Sequence, residues 1–193
     1  SVDRIDLIKK NLKKKNPICM EIGVHRGEFS KELFLNFKPK KLVLVDPWMV
    51  FEELIYAKSW YGNSDKFGQK KQNQYCEEVK AFFAKEILNR EVEVHRTTSD
   101  EYFKNNQYKF DLIYIDGNHL YDFVKKDISN SLDHIDDHGI IILDDYKFQG
   151  WWNDGVTRAI DYFVKAKKIK ILNSHNFFNY HHQCILQKTS ILR

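Results

Sequence analysis

Two spacings of apolar residues alternate along this chain: short unbroken runs, and longer stretches in which apolar residues recur every three or four positions. The unbroken runs predict strands that are buried on both faces, and the longer spacing predicts amphipathic helices. Strands are predicted at residues 18–24, 41–48, 91–96, 110–115, 139–143, 168–172 and 183–188. Because strands and helices alternate, the pattern favours an α/β fold built on a mostly parallel sheet.

The helical spacing places one amphipathic segment after most of the predicted strands. Helices are predicted at residues 3–15, 29–37, 76–88, 120–134 and 156–167, with a short one around 102–103. The helix at 76–88 is expected to place four apolar side chains in the core, namely Val79, Phe82, Phe83 and Ile87. Either Ser99 or Asp100 is expected to cap the short helix, since both side chains can accept a backbone N–H bond.

Two stretches follow neither spacing. Residues 173–182 are predicted to form a polar hairpin loop, although three histidines there invite a metal interpretation. Residues 48–76 form an insertion after the second predicted strand, and its loose pattern places Tyr56, Trp60, Tyr61 and Phe67 among polar residues. The insertion is either a lid over a substrate or an excursion packed on the body of the domain. The sequence leaves both interpretations open.

A glycine turn joins the first predicted strand to the first long helix after it. Gly23 and Gly27 are four positions apart, and the helical pattern starts at once. A strand, a glycine turn and a helix present backbone N–H groups to a ligand. The Gly-x-Gly-x-x-Gly pattern of dinucleotide folds is absent, because His25 and Arg26 occupy the positions between the glycines. The plainer alternative is that the glycines merely let the chain turn.

Acidic residues end three of the predicted strands. Asp46 ends the second strand 19 residues beyond Gly27, close to the spacing of about 20 at which nucleoside-binding folds place a carboxylate on ribose hydroxyls. The alternative for Asp46 is a cap on the next turn. Asp116 ends the strand at 110–115, and the pair Asp144-Asp145 ends the next one along the chain.

The last three of these carboxylates are expected to meet at the carboxyl edge of the sheet, where open α/β folds hold their chemistry. Carboxylates brought this close repel one another unless a cation or a proton lies between them. Oxygen ligands of this kind suit Mg²⁺ or a similar ion. The alternative is that Asp144 and Asp145 cap the following segment and hydrogen-bond a cofactor.

The motifs resemble those of one enzyme class. Glu21, Gly23 and Gly27 form a Glu-x-Gly-x-x-x-Gly pattern similar to motif I of the class I S-adenosylmethionine-dependent methyltransferases. The Asp116-Gly117 turn and the Asp144-Asp145-Tyr146 ending resemble the metal-dependent O-methyltransferases related to macrocin O-methyltransferase. The resemblance implies a Rossmann-like fold across residues 1–193 as a single domain. Its seven-stranded sheet would be mostly parallel, with an antiparallel last strand and helices on both faces.

The resemblance also assigns roles to individual residues. It implies S-adenosylmethionine and Mg²⁺ or a similar divalent cation as cofactors. It places the first of these against Glu21, Gly23, Gly27, Asp46, Ser99 and Asp116, and the metal against Asp116, Asp144 and Asp145. In some relatives an acidic residue two positions after the first Asp is the proposed catalytic base, and this chain has Asn118 at that position. His119 is the expected substitute, because a neutral imidazole accepts a hydroxyl proton near pH 7; the alternative is that it only donates a supporting hydrogen bond.

Charge and composition narrow the classes of partner and the cellular setting that we expect for this chain. The 31 basic and 27 acidic side chains leave a net charge of +4, and the basic residues cluster at 9–15, 38–41, 70–71 and 165–170. These clusters are interpreted as solvated faces, so a nucleic acid is not expected as partner. No apolar run approaches the ~18–20 residues of a membrane span, and the first residues lack a signal-peptide pattern. Three scattered cysteines favour a reducing, cytoplasmic setting; the oligomeric state stays open, a homodimer included.

These features together predict an O-methyltransferase that uses S-adenosylmethionine to methylate a hydroxyl of a small molecule, with a sugar or glycosylated metabolite as the acceptor and a divalent metal assisting. Two alternatives stay open. One is an RNA methyltransferase with the same fold and cofactor. The other is a catalytically silent protein that binds the cofactor without turnover.

Overall fold

A seven-stranded sheet forms the centre of the molecule in the computed structural model, which describes residues 3–62, 68–177 and 181–190. Its strands are β1 Ile18–Ile22, β2 Lys41–Asp46, β3 Val92–Arg96, β4 Phe110–Ile115, β5 Ile135–Leu143, β6 Ile169–Phe177 and β7 His181–Lys188. They lie in the order β3-β2-β1-β4-β5-β7-β6. Six strands run in one direction, and β7 pairs antiparallel with both neighbours. The predicted mostly parallel sheet with an antiparallel last strand is confirmed.

Helices cover both faces of this sheet. They are α1 Arg4–Asn11, α2 Glu28–Phe37, α3 Gln69–Phe82, α4 Ala84–Leu88, α5 Ser99–Lys104, α6 Tyr121–His134 and α7 Gly155–Lys165, with a 3-10 turn at Leu54–Tyr56. Apolar residues of α1, α2 and α3 form one buried cluster with one face of the sheet. Apolar residues of α5, α6 and α7 form a second cluster with the other face. The result is a three-layer α/β/α fold, as the strand–helix alternation predicts.

The register of the central strands sets the acidic ends of β2, β4 and β5 along one edge of the sheet. β1 lies between β2 and β4, with Ile22 opposite Val45 on one side and Ile115 on the other. Ile115 in turn pairs with Leu143 of β5. The residues that follow these strands therefore emerge together at the carboxyl edge of the sheet. No helix among the residues described is long and apolar enough to cross a membrane.

The helix predicted at 76–88 differs from the structure. It begins earlier, at Gln69, and Phe83 separates α3 from α4. Phe82 was assigned to the core but is 49% exposed, whereas Val79 and Phe83 are fully buried. The physical reason is the helical period. The buried residues Gln72, Tyr75, Cys76, Val79 and Phe83 recur every three or four positions along one face, and Phe82 lies beside that face.

Three further expectations are corrected or left aside. The cap of α5 is Thr98, whose side chain accepts from the N–H of Glu101, rather than Ser99 or Asp100. The stretch predicted as a polar loop at 173–182 is mostly strand, because β6 continues to Phe177 and β7 begins at His181. Residues 178–180 lie outside the described residues, as does Phe67 of the insertion. All three cysteines are buried thiols.

Candidate active site

The glycine loop, residues 23–27, connects β1 to α2 through two left-handed glycines. Gly23 has φ +86° and Gly27 has φ +76°. A Cβ atom on Gly23 would overlap the backbone carbonyl of Asp116 and would lie 2.6 Å from the nitrogen of Gly117. The N–H of Gly23 also donates to the carbonyl of Val45 at 2.9 Å. Gly23 therefore does more than let the chain turn, because it lets this loop touch the loop that follows β4.

Asp46, at the end of β2, fixes the shape of the glycine loop. Its Oδ2 accepts hydrogen bonds from the N–H groups of Val24 and His25, each at 2.9 Å. Its Oδ1 accepts one from the N–H of Trp48 at 2.7 Å. Burial raises the pKa of Asp46, against the effect of these three donors. The carboxylate thus has the capping role that the sequence left open, and its contact with ribose stays a prediction.

Glu21 lies inside the protein rather than at the edge of a cleft. Its side chain is 2% exposed, and its Oε2 accepts a hydrogen bond from the hydroxyl of Ser30. Burial raises the pKa of Glu21 well above its usual value. Glu21 thereby links β1 to the first turn of α2 and holds in place the glycine loop that lies between them. Its direct contact with the cofactor stays a prediction.

Ser99 and Asp100 fasten α5 to α6. The hydroxyl of Ser99 donates to Oδ1 of Asp127, and Asp100 accepts from Asn130 at 3.0 Å and pairs with Lys126. Burial raises the pKa of Asp127 to about 7, although the bond from Ser99 opposes this shift. Asp127, a buried acid on the inner face of α6, did not stand out in the sequence. The contact of Ser99 with a cofactor stays a prediction.

Asp116, His119 and Asp145 form the acid–imidazole cluster. Asp116 and His119 follow β4, and Asp145 follows β5. Nε2 of His119 lies 2.9 Å from Oδ2 of Asp145 and 3.4 Å from Oδ1 of Asp116. One ligand atom from each residue lies within 4.8 Å of the others. The sequence predicted that Asp116 and Asp145 would meet, and the structure brings His119 between them.

Asp144 occupies a different place from the one predicted. It is 3% exposed, and its Oδ2 accepts a hydrogen bond from the hydroxyl of Tyr114. That hydroxyl also accepts a bond from Nε2 of Gln183 at 3.2 Å. Asp145, with φ +62°, turns the chain in a left-handed conformation. The predicted metal set of Asp116, Asp144 and Asp145 is therefore corrected, because the Asp144 carboxylate is buried against Tyr114 while His119 joins the other two.

The charge state of His119 follows from its neighbours. Burial lowers its pKa, but hydrogen bonds and charges of Asp116 and Asp145 outweigh this effect and raise the pKa to about 10. An imidazole with this pKa is protonated at neutral pH in the metal-free cluster, and it can ligate an ion only after losing that proton. Because Nε2 faces the two carboxylates, the geometry favours a ligand or hydrogen-bonding role for His119, and its role as the base stays a prediction.

The cluster fits a divalent cation. One imidazole nitrogen and two carboxylate oxygens, from the two segments after β4 and β5, lie within 4.8 Å of one another, and these are ordinary ligands of protein-bound metals. Three protein ligands leave further coordination positions for water or substrate. Asp116, His119 and Asp145 are thus the residues of this chain that would hold the ion that the sequence predicts.

Part of the insertion packs across both loops. The hydroxyl of Tyr56 accepts a hydrogen bond from Nδ2 of Asn118 at 2.9 Å. The ring of Trp60 lies 5.1 Å from that of His25. Nε1 of Trp48 donates to the carbonyl of His25 at 2.8 Å. The described part of the insertion therefore covers the glycine loop and the loop after β4, in agreement with packing on the body; its action as a lid stays a prediction.

A group of aromatic rings reaches the acid–imidazole cluster through Trp152. Four of them, here called the aromatic cover, are Phe51, Tyr56, Tyr61 and Trp151, with centroids of neighbouring rings 5.0–5.8 Å apart. Trp152 contacts Trp151 at 5.7 Å and the ring of His119 at 4.5 Å. Of this group, Tyr56 and Tyr61 stood out in the sequence, whereas Phe51 was missed. Their convergence could not be seen, since it joins segments about 90 residues apart.

Known proteins share this architecture. The profile of a family described as a methyltransferase domain matches residues 20–146. That range begins in β1 and ends just after Asp145, so it includes the glycine loop and the whole acid–imidazole cluster. No curated protein matches the sequence significantly.

Solved structures cover nearly the whole chain at low identity. An O-methyltransferase from Bacillus cereus in complex with SAH has a TM-score of 0.65 and 12% identity, over 98% of this chain and 83% of its own. TomG, an O-methyltransferase from Streptomyces achromogenes involved in tomaymycin synthesis and solved with SAM, has a TM-score of 0.65 and 13% identity, over 98% of this chain and 82% of its own. A proposed rRNA methylase from Clostridium thermocellum has a TM-score of 0.68 and 12% identity, over 98% of both chains. Such identities show the shared fold alone.

Proposed function

Because this chain belongs to the methyltransferase domain family and is a class I S-adenosylmethionine-dependent methyltransferase, we propose that it methylates a hydroxyl of a small molecule. The acceptor is a sugar or a glycosylated metabolite, and a divalent cation assists the reaction. The observation that carries this proposal is the contact of Gly23 with the Asp116-Gly117 peptide. Through this contact the glycine loop, on the cofactor side, adjoins the acid–imidazole cluster on the acceptor side.

The glycine loop and the end of β2 form the cofactor side. Gly23 and Gly27 bring backbone close to the methionyl part of S-adenosylmethionine, as glycine turns do for other ligands. Asp46 takes the ribose hydroxyls with its carboxylate, which is partly exposed and already orders Val24 and His25. Ser99, at the start of α5, borders the adenine.

The chemistry on the acceptor side is a single displacement. The acceptor oxygen forms a bond to the methyl carbon while the carbon–sulfur bond breaks, and its electron pair stays on sulfur in S-adenosylhomocysteine. The protein has to align oxygen, carbon and sulfur and to receive the hydroxyl proton. A divalent cation held by Asp116, His119 and Asp145 would supply positive charge that favours loss of this proton.

Asp116 is the group to which we assign the proton. Its side chain is 36% exposed, against 14% for His119 and 15% for Asp145. It is therefore the member of the cluster that an acceptor reaches most easily. Its Oδ1 faces His119, so Oδ2 is the oxygen that takes the proton. His119 acts beside it, between the two carboxylates, and the role as base predicted for His119 passes to Asp116.

The aromatic cover defines the kind of acceptor. Trp151 packs against Tyr56, Tyr61 and Trp152, and Trp152 contacts the cluster at His119. Flat rings suit the faces of sugars and other ring compounds, which supports the proposed acceptor. The hydroxyl of Tyr56 and the side chain of Asn118 add polar groups at the same place.

The test pairs calorimetric titration of S-adenosylhomocysteine with transfer of labelled methyl groups from S-adenosylmethionine to glycosides, sugar nucleotides and RNA. Asp46→Asn should weaken S-adenosylhomocysteine binding by about 10–100-fold, because charged hydrogen bonds contribute about 1.5–3 kcal/mol each. Asp145→Asn should lose methyl transfer while binding S-adenosylhomocysteine normally. Asp137→Asn, on an exposed residue of β5 before its buried stretch, is the matched control and should change neither.

Three results would contradict the proposal. Methyl transfer to RNA and to no small molecule would support the RNA alternative. Binding of S-adenosylhomocysteine without transfer to any acceptor would support a silent protein. Loss of cofactor binding in Asp145→Asn but not in Asp46→Asn would reverse the assignment of the two sides of the site.

A further inference from the structure

The acid–imidazole cluster mixes a ring nitrogen with two carboxylates, and this mixture bears on which metal ion it suits. We propose that it binds a first-row transition-metal dication in preference to Mg²⁺, with His119, Asp116 and Asp145 as ligands and Asp144 outside the coordination sphere. The proposal rests on the proposed function for the role of the ion but concerns its identity, which that function leaves open.

The spacing of the three donor atoms suits ligands of one small ion. Ligand bonds of about 2.0–2.2 Å place neighbouring ligand atoms about 3.0–3.5 Å apart. Nε2 of His119 lies 2.9 Å from Oδ2 of Asp145 and 3.4 Å from Oδ1 of Asp116. An ion can therefore bind Nε2 together with either carboxylate almost as they stand, and the Asp116 and Asp145 oxygens, within 4.8 Å of each other, can both reach it after side-chain rotation.

The chemistry of the donors separates the candidate ions. Mg²⁺ takes oxygen ligands in a nearly ideal octahedron, whereas imidazole suits Zn²⁺, Fe²⁺, Co²⁺ and Ni²⁺. A set of three carboxylates would have suited Mg²⁺, and Asp144 would have completed it. Since Asp144 is buried and accepts the hydroxyl of Tyr114, the third ligand at this place is the nitrogen of His119.

Packing of the backbone holds His119 in this position. A Cβ on Gly155 would overlap the carbonyl of His119 and would lie 2.8 Å from the nitrogen of Tyr121. The first residue of α7 thus presses directly on the segment that carries His119. The ring of Trp152 contacts the imidazole at 4.5 Å. These contacts hold the segment and pack on the imidazole, whose Nε2 faces the two carboxylates.

The experiment titrates the metal-free full chain with Co²⁺ or Mg²⁺ alone, followed by calorimetry and by the visible absorption of Co²⁺. We expect Co²⁺ to bind at least about 100-fold more tightly than Mg²⁺, given the imidazole ligand. His119→Gln should weaken Co²⁺ binding by at least about 100-fold, since even residues that only support a ligand cost about 10–100-fold. His175→Gln, an exposed histidine of β6, is the matched control, and Asp144→Asn should change Co²⁺ affinity less than about threefold.

Several results would overturn the inference. They are Mg²⁺ binding as tight as Co²⁺ binding, no binding of either ion, or Co²⁺ affinity that survives His119→Gln. Comparison of the two ions on the unaltered protein needs no variant, so the test does not depend on folding of a mutant. Titration with S-adenosylhomocysteine separates the two proposals: if it binds and Co²⁺ does not, the metal inference alone fails, whereas Co²⁺ binding without cofactor binding leaves the metal site and removes the proposed function.

Discussion

Replacing Gly23 with alanine adds one methyl group where the loop after β1 meets the loop after β4. At φ +86° the substitution first costs the left-handed strain of an L-residue, about 1–2 kcal/mol. The new Cβ would also overlap the carbonyl of Asp116 and lie 2.6 Å from the nitrogen of Gly117. Since carbon contacts need about 3.5 Å, the two loops must separate by about 1 Å.

The separation strains two hydrogen bonds that join the same loops to the sheet. They are the bond from the N–H of Gly23 to Val45, at 2.9 Å, and that from the N–H of Asp116 to Ile22, at 2.8 Å. At about 1 kcal/mol each, their loss raises the expected cost of Gly23→Ala to about 3–4 kcal/mol. The displaced loop should also bind S-adenosylhomocysteine more weakly.

Gly27→Ala is the matched control for this prediction. Gly27 has φ +76° and so carries the same strain, but its added Cβ would meet the side chain of Val79 at 3.0 Å. A side chain can move by a few tenths of an ångström, so the expected cost is about 1–2 kcal/mol. For a chain of this size the difference of about 2 kcal/mol lowers the Tm of Gly23→Ala by about 4–8 °C more. Urea unfolding of both variants measures it, and equal losses would refute the contact between Gly23 and Asp116.

Two further predictions concern buried acids outside the cluster. Burial raises the pKa of Asp127 to about 7, so the folded protein favours the protonated carboxyl more than the unfolded chain does. Its contribution to stability is therefore fully present below about pH 4 and is lost as pH rises through 7, where the buried group must ionise. Asp127→Asn removes this ionisation and should therefore raise the free energy of unfolding in urea by up to about 4 kcal/mol at pH 8 and by less at pH 5. Asp133→Asn, at an exposed residue, is the control and should change this free energy little at either pH. Equal effects of Asp127→Asn at the two pH values would contradict the prediction. Tyr114→Phe removes a hydrogen-bond donor to Asp144 and should cost about 1–3 kcal/mol in the same assay; an unchanged midpoint would count against that bond.

The sheet and the positions of its acids could be predicted because buried parallel strands leave a simple trace. All six residues of β4 are buried, so the strand is almost continuously apolar until Asp116. β2 likewise stays buried until Asp46, which is partly exposed. A polar residue at the end of such a run has to lie at the sheet edge, and parallel neighbours bring these ends together. Local pattern therefore sufficed to place Asp46 and Asp116.

The direction of Asp144 was also present in the sequence, in the alternation of β5. Ile140 and Ile142 pack in the same buried cluster as Tyr114, whereas Ile141 and Leu143 pack on the opposite face. Side chains of a strand alternate with a period of two. Continuing that period by one residue puts Asp144 on the face of Tyr114, where it accepts the tyrosine hydroxyl. Asp116 and Asp145 meet at the sheet edge, as predicted, but the alternation along β5 turns the side chain of Asp144 toward Tyr114.

The orientation of His119 could not be predicted, because contacts between distant segments determine it. Asn118 donates to Tyr56, 62 residues earlier in the chain. Gly155 lets α7 approach the carbonyl of His119, and Trp152 packs on its ring. No local periodicity encodes such contacts, and the residue type alone suits a base, a ligand or a structural donor equally. In this structure packing turns Nε2 toward two carboxylates, and that orientation favours a ligand over a base.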